Sequence, residues 1–307
     1  MRVGHLVHLS RRTASLVALL LVAPAAVAQN SAPSASRAAL DQIFGRKGTA
    51  SAGGVVRYGF PRSDLSVRLD NVDLKTGFAL GGWAAFKEDH PGQALVMGDL
   101  VLLEDEVPAV MRTLQAGGVE QTALHNHLLR EQPHVVYMHI HAHGNSQAIA
   151  HTIRDALALT KTPLTTLPSP APAAAAPPAL DTVGIAAALH TTGKWNGGIY
   201  QVSVPRSETI TDDRVEIPPS MGVATAINFQ PTGGGKAAIT GDFVLRATEV
   251  NPVIKALREN GIEVTAVHTH MLTEQPKLYF MHFWANDDGL KLARGLAAAL
   301  DRTASKR

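Results

Sequence analysis

The chain is written twice. Adding 143 to a residue number in the first half gives its counterpart in the second. His125, His127, Glu131, Gln132, Pro133, Met138 and His139 become His268, His270, Glu274, Gln275, Pro276, Met281 and His282. Gly98-Asp99 maps onto Gly241-Asp242, Glu106 onto Glu249 and Gly118 onto Gly261. Upstream the offset is 144, so Pro61-Arg62 meets Pro205-Arg206. Unrelated stretches of ordinary composition agree at only about one position in fifteen to twenty. The fold is therefore a unit built twice and joined in tandem.

The copies span residues 37–159 and 179–307. Between them, 160–178 is rich in Pro and Ala and reads as an exposed, semi-rigid linker. Each copy predicts the same order of elements. A short helix (38–44; 180–189) precedes several strands (55–60, 66–69, 78–86 and 94–103; 198–204, 215–217, 223–229 and 236–246). A helix follows; in copy two Asn251 reads as its N-cap, with Pro252 at the first helical position. A motif strand (122–127), a turn, a return strand (135–140) and a last helix (147–159; 289–300) complete the copy. The expected class is α+β, two tandem copies of a domain with a mostly antiparallel sheet and helices on one face.

The opening residues read as a targeting segment. Arg2, Arg11 and Arg12 precede a short apolar run over 13–23, and Ala26-Val27-Ala28 has the small-x-small pattern of a signal-peptidase site. The expectation is a signal peptide over 1–28 and an exported chain, periplasmic or secreted, with no membrane span after cleavage. Ser10-Arg11-Arg12-Thr13 touches the twin-arginine pattern but lacks its usual Phe. The sequence has no cysteine, so disulfides, thiolate chemistry and a lipid-modified cysteine anchor are excluded. A net charge of +2 without a basic run gives no nucleic-acid footprint.

The chemistry concentrates in the repeated string His-x-His-x-x-x-Glu-Gln-Pro. Residues two apart on a strand share a face, so His125 and His127 project together. A hairpin symmetric about Pro133 sets His127 opposite His139, with Glu131 at the turn. Three imidazoles and a carboxylate suit a divalent transition metal: Zn, Mn, Fe, Ni or Cu. The expected ligands are His125, His127, Glu131 and His139, repeated as His268, His270, Glu274 and His282. With an open coordination position, Glu131 becomes a candidate base for metal-dependent hydrolysis. The alternatives are a non-catalytic module for a cell-envelope ligand and a structural hydrogen-bond network. Copy one adds His134, His141 and His143 where copy two has Lys277, Trp284 and Asn286, which favours copy one as the active half.

Other repeated residues have quieter readings. Asp99 and Asp242 follow a Gly in a strand and mark a bulge or an inward carboxylate. Glu106 and Glu249 suit a helix N-terminus. Arg62 and Arg206 pair with an acid or hold an anion. Duplication also predicts that the two copies pair within the chain.

ALHNHLL followed by Glu, Pro and MHIHAHG, with GDLVLLEDEV upstream, resembles the LppY/LpqO family, also called domain of unknown function 1259. The resemblance covers both copies and implies an exported bacterial protein with this domain in tandem. It implies no activity. His-x-His-x-x-x-Glu is also the first metal motif of cupins. Here, however, His139 lies on the next strand and a helix precedes the motif, so the spacing reads as convergent.

Overall fold

A computed structural model describes residues 35–164 and 180–307, with residues 1, 3 and 4. The rest of the expected signal peptide, and the linker from residue 165 to 178, lie outside the described residues. The compact unit below is Pro33–Arg307.

Copy one runs α1 (Ala35–Phe44), β1 (Thr49–Ser51), β2 (Val55–Pro61), β3 (Arg68–Leu69), β4 (Val72–Asp73), α2 (Thr76–Ala79), β5 (Gly81–His90), β6 (Gln93–Leu102), α3 (Val107–Ala116), β7 (Glu120–His125), β8 (Val136–Asn145) and α4 (Ser146–Leu157). Copy two runs α5 (Thr182–Leu189), β9 (Lys194–Asn196), β10 (Ile199–Pro205), β11 (Ile210–Asp212), β12 (Val215–Ile217), β13 (Ala224–Gly233), β14 (Lys236–Leu245), α6 (Ala247–Glu259), β15 (Glu263–His268), β16 (Tyr279–Asp288) and α7 (Gly289–Leu300). Each copy forms a six-stranded sheet, ordered β1-β2-β5-β6-β8-β7 and β9-β10-β13-β14-β16-β15, with every pairing antiparallel. This is the expected α+β class. The return strand β8 inserts between β6 and β7, so β6 is bonded to the strand after the motif and not to the motif strand itself.

Strand periodicity explains the layering. In β6 every residue after Gln93 is buried, the signature of a strand covered on both faces. Ala94, Val96, Leu100 and Leu102 face a core with the helices, joined by Leu40, Phe44, Leu114 and Ile153. Leu95, Met97 and Val101 face the other way, toward copy two. Copy two repeats the helix-side core with Phe229, Phe243, Phe283, Leu257 and Leu296. The result is four layers, helices outside and two sheets facing each other inside.

Arms that cross between the copies close the interface. Residues 62–80 carry Leu69 and Phe78 into a core with Ile199, Ala238 and Trp284 of copy two. Residues 206–223 bring Ile210, Ile217 and Met221 against Val55, Ala85 and Leu95 of copy one. Phe78 sits in α2, so the strand expected over 78–86 starts at Gly81. Its ring meets Trp284 edge-on at 6.2 Å, which holds it in the arm and out of the sheet. Polar bonds also cross, including Lys75 N to Gln230 Oε1 at 2.9 Å and Gln230 Nε2 to the Asp73 carbonyl at 2.7 Å.

The helix expected to start after Asn251 starts one turn earlier, at Ala247, and contains Pro252. The Glu249 carboxylate accepts from Arg246 N at 2.7 Å and closes the first turn. Val253, Ala256 and Leu257 set the buried face. Their burial outweighs the single backbone bond that Pro252 does not make.

The repeated Arg and Glu form a structural clamp. Fully buried Arg62 reaches Glu106 at 2.7 Å and Asp64 at 2.9 Å; Arg206 repeats this with Glu249 at 2.7 Å and Glu208 at 2.8 Å. Burial pushes the Glu249 carboxyl up, but Arg206 and the amides of Arg246 and Ala304 hold it below its ordinary value of 4.5. A depressed carboxyl contributes stability that is complete above pH 4.5 and is lost as pH falls through the folded value. Glu249→Gln is expected to lower the unfolding free energy by about 3 kcal/mol at pH 7. The gap from wild type should close as pH drops below 4.5. Urea unfolding of both proteins at pH 7 and in the acid range checks this; a pH-independent gap refutes it.

Candidate metal centre

The motif sits at the seam between the copies. On β8, His139 lies directly across the ladder from Asp99 on β6; in copy two, His282 lies across from Asp242. The preceding glycine explains why the carboxylate can be there. A side chain at Gly98 would point at Ile140 and the Trp83 carbonyl, and one at Gly241 at Phe283 and the Ala226 carbonyl. Glycine lets the sheet close on its helix side while the next residue, Asp, faces the other copy. The ladder through both Asp residues is regular, so of the two readings, bulge or inward carboxylate, the structure shows the inward carboxylate.

The hairpin register differs from a turn symmetric about Pro133. His139 pairs with Ala123, and His125 pairs with Tyr137, which centres the ladder on Glu131. Beyond these pairs a bulge lies between Gln121 and Ala123. His127 therefore lies beyond the end of β7, and its ring stacks on Tyr137 at 3.3 Å. His270 stacks on Phe280 at 3.4 Å in the same way. Each bulge also reaches across the seam. Thr122 Oγ1 donates to the His270 carbonyl at 2.6 Å, and Thr265 Oγ1 donates to the His127 carbonyl at 2.5 Å. Each copy thus positions the other's second motif histidine.

Six histidines converge in consequence. His125 stacks on His268 at 3.7 Å, while 3.8 Å separates His127 from His282 and His139 from His270. Three sets of donor atoms lie close enough for a metal: Asp99 with His125, His127 and His139; His125 with His268 and His282; and His139 with His268 and His270. Two of these three sets draw on both copies. Buried histidine-pair atoms also lack hydrogen-bond partners, among them Nε2 of His125, His139 and His282 and both ring nitrogens of His268. The Oδ1 atoms of Asp99 and Asp242 are likewise unpartnered.

Electrostatics keeps these rings in the ligating form. Burial, then repulsion by neighbouring histidines, pushes His127 and His268 far below the usual imidazole range. His139 and His282 move the same way, burial again dominating. Burial takes His270 down to about 3. These five rings are held neutral at pH 7, and each offers a lone pair. Nδ1 of His282 donates to the Gly241 carbonyl at 2.7 Å, leaving Nε2 as the acceptor. Burial raises Asp242 to about 6.

The glutamates of the motif go elsewhere. The Glu131 carboxylate is buried at the turn, 3.4 Å from Val135 N and 3.1 Å from His134 Nδ1. Glu274 accepts from Leu278 N at 2.9 Å and Lys277 Nζ at 3.3 Å. Neither belongs to a donor set among the described residues. The Gln beside each pairs its backbone with its own arm, Gln132 with Arg68 and Gln275 with Thr211. Glu-Gln-Pro thus fastens the loop that carries the histidines. The extra histidines of copy one are also turned away: His141 sits 2.9 Å from Asp212, and His143 lies 2.7 Å from Asp89.

A cavity of about 370 Å³ opens beside the cluster. Asp99, Asp242 and four of the six histidines line one side; Arg57, Trp83, Gln201 and Asn228 line another. Gly222, at φ +88°, lies against Trp83, where a Cβ would approach the ring to 3.0 Å.

A family model described as Domain of Unknown Function (DUF1259) matches residues 38–159 and again 183–302. The chain belongs to that family. Each DUF1259 region covers nearly all of one helix-and-sheet copy, so the seam that gathers the histidines joins two domains of the family within one chain. No curated protein matches the sequence at a significant level. Among solved structures, a trimeric bacterial microcompartment shell protein, PduB, is 14% identical over 83% of this chain and 89% of its own, with a TM-score of 0.19. EtuB from Clostridium kluyveri is 12% identical over 83% of this chain and 90% of its own, also with a TM-score of 0.19. Neither superposes well enough to inform the DUF1259 site.

Proposed function

We propose that this DUF1259 protein binds a divalent transition metal in one buried centre shared by its two copies, and that it does so after export. One observation carries the metal reading. Eight ring nitrogens of the six clustered histidines are buried with no hydrogen-bond partner. His270 Nε2 lies 3.0 Å from Asp242 Oδ2, but without hydrogen-bond geometry. Each unsatisfied buried polar group costs about 1–3 kcal/mol. A metal ion satisfies several at once, and neutral imidazole with carboxylate is a donor set that transition metals accept. Asp99, not a motif glutamate, supplies the oxygen ligand in this reading. The basic and apolar opening with Ala26-Val27-Ala28 supports export. Protein secreted from cells carrying the full gene should begin at Gln29 by N-terminal sequencing; retention of the segment in mature protein refutes export by this route.

The test of the metal reading uses untagged protein purified without chelator. Elemental analysis is expected to show at least about one transition metal ion per chain. After chelation, adding Zn(II) or Co(II) at about a hundredfold over Kd should stabilise the fold by about 2.7 kcal/mol. Protein that neither retains nor takes up metal, and gains no stability from it, overturns the reading.

A further inference from the structure

The cavity is asymmetric although the two copies are related by duplication. Arg57 on β2 pairs with Ala85 on β5, and the equivalent position on β10 is Gln201, paired with Asn228 on β13. One side of the cavity thus presents a cation and an indole, and the equivalent side presents two neutral amides. Arg57 lies over the Trp83 ring, its Cζ 3.8 Å from the centroid. It donates one bond, from Nη1 to the Ser220 carbonyl at 3.3 Å. Among the described residues no carboxylate comes within 4.0 Å of it, whereas Arg62 and Arg206 each hold two. A guanidinium has five N–H donors. Stacked on Trp83 and facing a cavity, Arg57 has donors to offer a ligand, in a planar fork that fits an oxyanion.

We infer that the cavity binds a small organic anion, one carrying a carboxylate or phosphate group, with that group on Arg57 and its remaining polar atoms toward Gln201 and Asn228. The volume, about 370 Å³, falls within the range of small-molecule pockets and exceeds the needs of a single inorganic ion. Gln201 and Asn228 already hold each other at 3.1 Å, Gln201 Nε2 donating to Asn228 Oδ1, so their amides are fixed in place. That the far end of the ligand meets a metal rests on the reading above, since a bound cation would offset the negative charge of Asp99 and Asp242 there. The anion site on Arg57 does not rest on it.

Calorimetry on the full mature chain, metal-loaded and chelated, tests this with inorganic phosphate, glycerol 3-phosphate and glutarate as probes. Metal content is read on the same samples, so failure of the metal reading is seen separately. Wild type is expected to bind glycerol 3-phosphate or glutarate more tightly than inorganic phosphate. Arg57→Gln, which installs the residue of copy two, should weaken binding about tenfold or more, and Arg57→Lys should restore part of it. Gln201→Glu provides a second variant in the other copy, where an added negative charge should also weaken binding. Binding of none of the organic probes in either metal state, binding of inorganic phosphate alone, or equal binding by wild type, Arg57→Gln and Gln201→Glu overturns the inference.

Discussion

The double substitution His125→Ala/His139→Ala, confined to copy one, is expected to abolish metal binding by the whole protein. The reason is the way the donor sets overlap. His125 belongs to the set within copy one and to the set with His268 and His282; His139 belongs to the set within copy one and to the set with His268 and His270. Removing both takes two donors from the first set and one from each of the others. No set lies wholly within copy two among the described residues, because His268, His270 and His282 are completed by copy-one rings. Ligand loss should lower metal affinity by well over the roughly 10–100-fold typical of outer-shell changes. Elemental analysis and calorimetry should therefore find near zero ions per chain. Two independent centres would instead leave half the wild-type content, and that result would sink the shared centre. Glu131→Gln is the contrasting variant. Its carboxylate holds Val135 N and faces His134, so it should leave metal content unchanged while costing about 1–3 kcal/mol of stability.

Periodicity and duplication made most of the fold legible. The apolar runs of β6 and β8, and the repeated order of helices and strands, followed from local pattern, as did the class. What did not follow was contact between distant parts. The arms over 62–80 and 206–223 are specified by single apolar residues such as Phe78 and Met221, whose partners lie in the other copy. The hairpin register failed for a related reason. The loop over 126–135 is tied at Gln132 to Arg68 of the arm, and the ladder it closes sets Ala123, not His127, opposite His139. The six histidines were readable as ligand types, but their meeting across a seam was not. The signal that could have identified the carboxylates was the repeated Gly-Asp pair, since a glycine kept twice inside a buried strand points to close approach. Glu131 and Glu274 drew attention because a motif names its neighbours along the chain, whereas a metal recruits neighbours in space.

That glycine can be tested directly. Gly241→Ala is expected to destabilise the protein by about 3 kcal/mol or more, at the upper end of overpacking costs. A Cβ there would sit 1.9 Å from the Ala226 carbonyl oxygen and 3.0 Å from Phe283 Cζ. The oxygen belongs to backbone on β13, the strand paired with β14, so relief requires the two strands to part. Gly98→Ala should cost less, because its Cβ meets the Trp83 carbonyl at 2.6 Å and its other neighbours are the flexible end of Ile140. Gly59→Ala, where nothing lies within 4 Å, should change stability by no more than about 0.5 kcal/mol. Denaturant unfolding of the three variants gives the order; equal effects at 59 and 241 would show that the glycine is not needed for close approach. The same substitution reaches the proposed metal centre. Parting β13 from β14 moves Asp242, which is opposite His282 on one side and Ala226 on the other. Gly241→Ala should therefore weaken metal binding by shifting His282 on the adjacent strand, without replacing any donor. The Gly-Asp pair acts as one device: the missing side chain lets the strands close, and the closed strands aim the carboxylate into the seam.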